Sequence, residues 1–586
     1  MSYRRKAAEL ARQQWEEQKR RAIRERRPFY GLQDAPSSSY YDEATGRKPG
    51  DKNLVGFGFD LNPWVSFIAG GLVILFIAMT LIFQDQAAAA FNTTLSAVSS
   101  TFGWFYILAV NLFIVVMALL AFSKYGKIRI GGPDSLPEFS TIAWYAMLLS
   151  AGMGIGLMFW SVGEPMFHYS SPSPIFGLTG ETPAAAQAAM GTTYYHWGIH
   201  PWAVYALVGL SLAFFAYNRG LPLTIRSVFY PMLGERIYGF WGNFIDILSV
   251  IATLFGLATS LGLGVQQVTA GLNFLFGWPT ADWFQVTLIA VITGFATLSV
   301  MAGLDKGVKN LSTANMYLAG IFMLFIVIVG PTVYILSAFT QNMGFYVQNL
   351  PYLSFWVETF RGAGAEGTNW QSAWTIFYWG WWISWSPFVG MFIARVSKGR
   401  TVREFILGVM IIPSLLSFLW MSTFGGAAMW LQTAGGVDVA TAVSDDVATA
   451  LFVMLENFPL SLITSLIGIV LVTIFFVTSS DSGSLVVDHL TSGGKLDSPV
   501  PQRVFWAVTE GVIAAVLLIG GGLAALQTAA ITTGLPFAIV LVIMCYSLYK
   551  GLGEELYHAE WIEKMEEKSQ KWNEQGIREP VPGLAE

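Results

Sequence analysis

A chain that repeats an apolar run of about 20 residues twelve times has few folds open to it. The runs lie near 63–83, 103–122, 140–160, 192–216, 243–273, 283–303, 313–338, 374–394, 405–424, 460–480, 503–522 and 531–550. As helices, runs of this length cross the roughly 30 Å hydrocarbon core of a bilayer. The fourth, fifth and seventh are the longest, and tilt is expected there. Charged residues make up 12% of the chain, about half the usual share in soluble proteins. So few charges do not cover a water-facing surface of this size. The fold class expected is an all-α integral membrane protein with twelve transmembrane helices.

Lysine and arginine in the short loops set the orientation. The first 27 residues carry Arg4, Arg5, Lys6, Arg12, Lys19, Arg20, Arg21, Arg24, Arg26 and Arg27. Basic residues return after every second span: Lys124, Lys127 and Arg129; Arg219, Arg226 and Arg236; Lys306 and Lys309; Arg395, Lys398, Arg400 and Arg403; Lys495 and Arg503. The intervening loops are acidic or uncharged. Both termini are therefore expected in the cytoplasm of a plasma (inner) membrane protein. The polar start has no apolar h-region, so no signal peptide is expected. The basic arm reads either as a topology signal or as a dock for anionic membrane lipids. The acidic tail from about Gly553 reads as a helix that frays by "PVPG" and as a possible counterpart of that arm.

Composition also excludes partners. A net charge of −5 argues against nucleic acid. The single cysteine, Cys545, excludes an internal disulfide and a cysteine metal cluster. Five scattered histidines do not predict a dedicated metal site. No carboxylate pair or activated nucleophile marks an enzyme.

Four segments carry chemistry. The third span reads "LLSAGMGIGLMFWSVGEP", with Gly152, Gly154 and Gly156 alternating mid-helix. Close helix packing is one reading. Local unwinding that offers carbonyls to a cation and N–H groups to an anion is the other. The fourth span contains "HWGIHPWAVY", where Trp197, Trp202 and Tyr205 share about 140° of a helix face and Pro201 is expected to loosen the helix. The eighth span contains "WTIFYWGWWISWSPF", Trp374 to Phe388, where Trp382, Trp385 and Phe388 form an inclined stripe and Pro387 is expected to weaken the helix. An interfacial aromatic belt is one reading of these rings. A box for a quaternary ammonium is the other: an onium head donates no N–H, and ring faces hold it at roughly 2 kcal/mol or more per desolvated contact. On that reading no Asp or Glu is needed within these three spans, where it would be expensive. The tenth span ends "FFVTSSDSGS"; Thr478 and Ser479 either bond back to their own helix or serve as Na⁺ ligands.

Together these motifs resemble the betaine/choline/carnitine transporter family. "WTIFYWGWW" is similar to the family signature, with Ala373 departing from it just before; "GMGIG", "HWGIHPWAVY", "SWSPFVGMF" and "TSSDS" follow in family order over roughly 60–550. The resemblance implies a LeuT-like 5+5 inverted repeat preceded by two helices. The divisions are an N-terminal arm at 1–60, two peripheral helices at 61–139, repeat one at 140–338, an extracellular connection at 339–373, repeat two at 374–550 and a tail at 551–586. It implies a homotrimer and no cofactor beyond Na⁺ as coupling ion.

It also implies site residues. Trp197, Trp202, Tyr205 and Trp382 form the substrate box, with Trp381 and Trp385 along the route and Gly152, Gly154 and Gly156 beside it. Ser150, Met153, Phe475, Thr478 and Ser479 form one Na⁺ site. A second, at Thr253 and Phe388, is in question because Leu257 replaces a threonine. Glycine at 156, where an acid accompanies choline in the family, favours a zwitterion: glycine betaine or dimethylsulfoniopropionate. The function expected is secondary active symport of such an onium compound with Na⁺. Proton-coupled choline or carnitine transport on the same fold, and a membrane-embedded osmosensor or channel, are the alternatives.

Overall fold

A computed structural model describes residues 49–152, 154–302, 305–360 and 370–574. The basic N-terminal arm and Met153 lie outside the described residues. A small hairpin, β1 (Leu54–Gly56) and β2 (Phe59–Leu61), leads into the helices. These are α1 (Pro63–Ile82), α2 (Gln84–Phe122), α3 (Thr141–Gly152), α4 (Ile155–Ser170), α5 (Pro183–Trp197), α6 (Ile199–Tyr217), α7 (Phe240–Phe276), α8 (Asp282–Ala302), α9 (Asp305–Val329), α10 (Thr332–Ser354), α11 (Thr375–Val396), α12 (Val402–Thr433), α13 (Ser461–Thr491) and α14 (Val500–Glu574). Short helical turns fill several of the connections.

Local signals start the helices. Asn62 accepts from the Val65 N–H at 3.3 Å and Pro63 takes the first position of α1, where a missing N–H costs nothing. Thr401 and Glu404 form a reciprocal capping box on α12.

Among the described residues, nine helices are long and apolar enough to cross a membrane, ten if the bent pair α3/α4 counts as one span. The twelve expected from the sequence differ from this in identifiable places. The Trp-rich α11 is not among the ten, and α14 counts once through Tyr557 although it turns at Gly521 and Gly522, whose backbone is non-helical. Large apolar side chains lie exposed on the outer helices, for example Phe67 and Ile74 on α1, Phe295 and Leu298 on α8, and Ile321 and Leu324 on α9. That surface suits lipid, which rewards apolar contact and holds no water for the backbone. Most of α5, α6, α7 and α11 is buried inside the bundle.

Three breaks differ from the sequence expectation. The fourth span divides at Gly198 (φ −90°, ψ −137°), not at Pro201. Pro201 falls in the first turn of α6, where backbone N–H groups have no intrahelical partner. A Cβ on Gly198 would stand 2.6 Å from the Tyr346 hydroxyl and 2.8 Å from Phe418, so the break is held by close packing. The seventh span stops at Val329, because Pro331 interrupts the helix; α10 starts at Thr332, still within the expected span, and runs to Ser354, well into the segment expected as a connection. The eighth span does not weaken at Pro387: α11 runs unbroken through it. Proline leaves the Ile383 carbonyl without its N–H partner, and the Ser386 hydroxyl donates to that carbonyl at 2.7 Å.

The start of the acidic tail is helical as expected. It rests on the loop after α6, where Arg219 pairs with Glu555 at 3.0 Å and Lys550 donates to the Pro231 carbonyl at 2.7 Å.

Candidate functional site

The glycine run does interrupt its helix. Segments Thr141–Ser150 and Ile155–Ser170 meet at 67°, and Gly154 is extended (φ −163°, ψ −165°). The site forms where α4, α5, α6 and α11 converge beside this break; α11 packs on α6 and α7, and α4 on α5, α7 and α12.

All six aromatic residues expected at the site come together and are buried. Trp197 meets Trp382 with ring centroids 4.9 Å apart at 71°, Trp202 meets Tyr205 at 5.5 Å and 81°, and Tyr205 meets Trp382 at 6.4 Å and 77°. Successive rings thus stand nearly perpendicular, as adjoining walls of a box do. Trp381 stacks on Trp382 at 4.7 Å, and its indole N–H donates to Ser260 at 3.1 Å. The Trp382 N–H donates to the His196 carbonyl at 3.2 Å. Trp385 packs edge-on to Phe388 at 5.4 Å. A belt at the headgroups would leave these rings at helix ends; here they fill the bundle interior.

Gly156 lies directly under the rings. A Cβ there would stand 2.7 Å from Trp381 and 3.0 Å from Trp197, and one on Gly154 would stand 3.7 Å from Trp385. The alternating glycines therefore both break the helix and let backbone approach the indoles. Gly152 closes α3 at the same break.

The sequence reading missed one residue at the centre. Glu164 is fully buried and accepts from the Trp197 indole at 2.7 Å, the Tyr378 hydroxyl at 2.5 Å and His196 Nδ1 at 2.6 Å. His196 Nε2 reaches the Thr375 hydroxyl at 2.9 Å. A buried carboxylate is tolerated only when so fully satisfied. This corrects the view that the site helices do without an acid. The third span ends near 160 by hydropathy, whereas α4 continues to Ser170. The "GEP" and "HW" pairs were the available signals.

Ser150 is expected to offer Na⁺ its carbonyl, and Thr478 and Ser479 their hydroxyls; the Ser150 and Thr478 hydroxyls bond back to their own helices. Ser150 donates to the Met147 carbonyl at 2.8 Å, and Thr478 to those of Ile474 at 2.9 Å and Phe475 at 3.3 Å. A hydroxyl that gives up its proton in this way keeps lone pairs for a cation. Phe475 is buried and Ser479 partly so on α13, which packs against α4 and α7. At the second candidate site Thr253 donates to the Ser249 carbonyl at 2.7 Å and Phe388 is partly buried. Leu257 points into α13: a Cβ on Gly483 would stand 2.3 Å from its Cδ1. Leucine there fills space against a glycine and offers no oxygen.

A sequence profile described as "BCCT, betaine/carnitine/choline family transporter" matches residues 64–557. The chain belongs to this family. It is a transporter and not an enzyme. It is 49% identical over 513 residues to a glycine betaine/proline/choline transporter of Vibrio parahaemolyticus, covering 85% of this chain and 91% of the relative. A glycine betaine transporter of the same organism is 46% identical over 522 residues, covering 88% and 98%. A glycine betaine transporter of Bacillus subtilis is 46% identical over 482 residues, covering 82% and 91%. Family membership bears on the glycine break and the aromatic segments alike, since both lie within the matched residues.

Proposed function

We propose that this protein is a Na⁺-coupled symporter that imports a zwitterionic onium compound, with glycine betaine as the leading substrate and dimethylsulfoniopropionate as a second. The observation that carries the substrate class is Gly156 pressed beneath Trp381 and Trp197. The rings supply negative potential for a trimethylammonium or sulfonium head. The extended backbone at Gly154 provides polar groups for the carboxylate end and for a cation. An acid at 156, which would balance a choline cation, would have to push Trp381 aside. All three relatives carry glycine betaine in their names, two of them alone and one together with proline and choline, which supports glycine betaine as the leading substrate.

The membrane architecture goes with it. On this reading the ten apolar spans are joined by α11 and by a second crossing in α14 beyond its turn at Gly521, twelve in all. Twelve spans accommodate two inverted repeats of five behind α1 and α2, with both termini cytoplasmic and three chains per assembly. Ser150, Phe475, Thr478 and Ser479, with Met153, are the primary Na⁺ ligands. The Leu257 position carries none, so replacing Leu257 by Thr is expected to raise the Na⁺:substrate ratio measured in proteoliposomes; an unchanged ratio would remove that position from the account.

The substrate claim is tested by competition against labelled glycine betaine. Dimethylsulfoniopropionate should compete well, and choline, carnitine and ectoine poorly. Stronger competition by choline than by glycine betaine itself would overturn the argument from Gly156.

A further inference from the structure

The five histidines gave no expectation of a metal site, yet the fold gathers two of them around Glu164. The ligating atoms of Glu164, His168 and His196 all lie within 4.8 Å of one another, and all three residues are buried. We propose that these side chains form a binding site for a divalent transition-metal ion of the zinc type, separate from the sodium ligands and bordering the onium box.

The donor set is two imidazoles and a carboxylate, which suits borderline metals and not Na⁺ or Mg²⁺. Glu164 and His168 share one face of α4 at i and i+4, and His196 comes from α5. Tetrahedral zinc with bonds of about 2.0–2.1 Å holds its ligand atoms about 3.3 Å apart. His168 Nε2 already stands 3.4 Å from Glu164 Oε1. The His196 Nδ1 contact at 2.6 Å has to open by about 0.7 Å to reach that spacing.

Hydrogen bonding in the cluster explains Glu164 and His196 but leaves His168 over. Neither ring nitrogen of His168 makes a well-aligned hydrogen bond, although the ring is buried; its polar contact is the 3.4 Å approach of Nε2 to Glu164 Oε1. A buried imidazole so poorly paired is costly, and a metal ion would satisfy it. The surroundings are those of a metal centre. Trp197 and Tyr378 occupy Glu164 Oε2, leaving Oε1 to face the histidines. Thr375 sits 2.9 Å from His196 Nε2, where it fixes the ring as an outer-shell partner. Trp370 and Trp374 pack on His168 at 5.2 and 4.5 Å between centroids. Binding takes the Nδ1 proton from the His196 imidazolium to solvent, and the neutral ring keeps its Nε2 proton, donated to the Thr375 hydroxyl, while the ion occupies the Nδ1 side. Because Glu164 also holds Trp197, an ion that ties α4 to α5 slows rearrangement of the box, so the metal inhibits uptake.

The test uses the full chain purified in detergent and titrated with Co²⁺ alone, with no transport readout. One equivalent is expected to give the visible absorption of tetrahedral Co²⁺, to release a proton and to be displaced by Zn²⁺. His168→Leu, which fills the same buried space, should weaken binding beyond the about 10–100-fold typical of losing an outer-shell partner. Thr375→Val should weaken it within that range, and His168→Cys should retain it. In parallel, Zn²⁺ should inhibit uptake by the parent protein. Absence of the cobalt bands, or equal affinity in parent and His168→Leu, overturns the site whatever the transport assays show.

Discussion

Two helices that frame the aromatic box handle a helix-weakening sequence in opposite ways. The α3/α4 segment gives way at its glycines and bends by 67°. Helix α11 carries Pro387 and stays continuous, because Ser386 supplies the hydrogen bond that proline cannot. The difference separates two jobs. The broken segment brings its backbone close against the indoles of Trp381, Trp197 and Trp385. The continuous one carries Trp381, Trp382 and Trp385 on a single uninterrupted helix. Glu164 of α4 joins the two, its Oε2 accepting from Tyr378 of α11 and from Trp197 at the end of α5.

The strongest way to break this arrangement is Glu164→Ala. It leaves the Trp197 and Tyr378 donors buried without an acceptor, and loss of one partner in such a buried charged network costs about 3–5 kcal/mol. The expected result is a large fall in thermal stability in detergent together with loss of substrate binding; an unchanged melting point would show that the clamp is dispensable. Next is Trp382→Leu, which removes a ring worth roughly 2 kcal/mol or more to a desolvated cation. Binding of glycine betaine should weaken by at least about thirtyfold, with membrane insertion and the size-exclusion profile intact. Wild-type affinity would remove the box from the account.

Smaller effects sharpen the contrast between the two helices. Gly156→Ala forces a methyl against Trp381, and overpacking of this kind costs about 1–3 kcal/mol. Since it strikes the helix break directly beneath the aromatic rings, it should lower substrate affinity more than it lowers stability; the reverse order would mean that Gly156 serves packing alone. Ser386→Ala strips the repair from Pro387 and leaves the Ile383 carbonyl unpaired, at a cost of about 1–3 kcal/mol. That loss should register in stability, with the Na⁺ dependence of uptake unchanged. A shift in Na⁺ dependence would show that α11 also flexes during transport.

The residues explain how far the sequence could be read. Span positions were legible because a bilayer demands long apolar runs, and local chemistry such as Asn62–Pro63 fixes where one begins. The aromatic cluster was legible as a set, since Trp197, Trp202, Tyr205 and Trp382 sit in two short Trp-rich motifs whose rings the fold brings into contact. Glu164 was not, because its meaning depends on Tyr378, 214 residues away, and on a helix that outlasts its hydropathy peak. Gly198 was passed over for Pro201 because a proline's effect depends on its place in the turn. Pro387 was read as a weak point because the Ser386 repair depends on a rotamer, and composition does not show one. Leu257 was noticed for the oxygen it lacks; its fit against Gly483 needed the packed helices.

The most direct measurement is accumulation of labelled glycine betaine in proteoliposomes under controlled ion gradients. An inward Na⁺ gradient at equal pH should drive uptake above the equilibrium level, and K⁺ medium with an inward proton gradient should not. Accumulation in K⁺ medium driven by protons alone, or simple equilibration under the Na⁺ gradient, would contradict sodium-coupled symport.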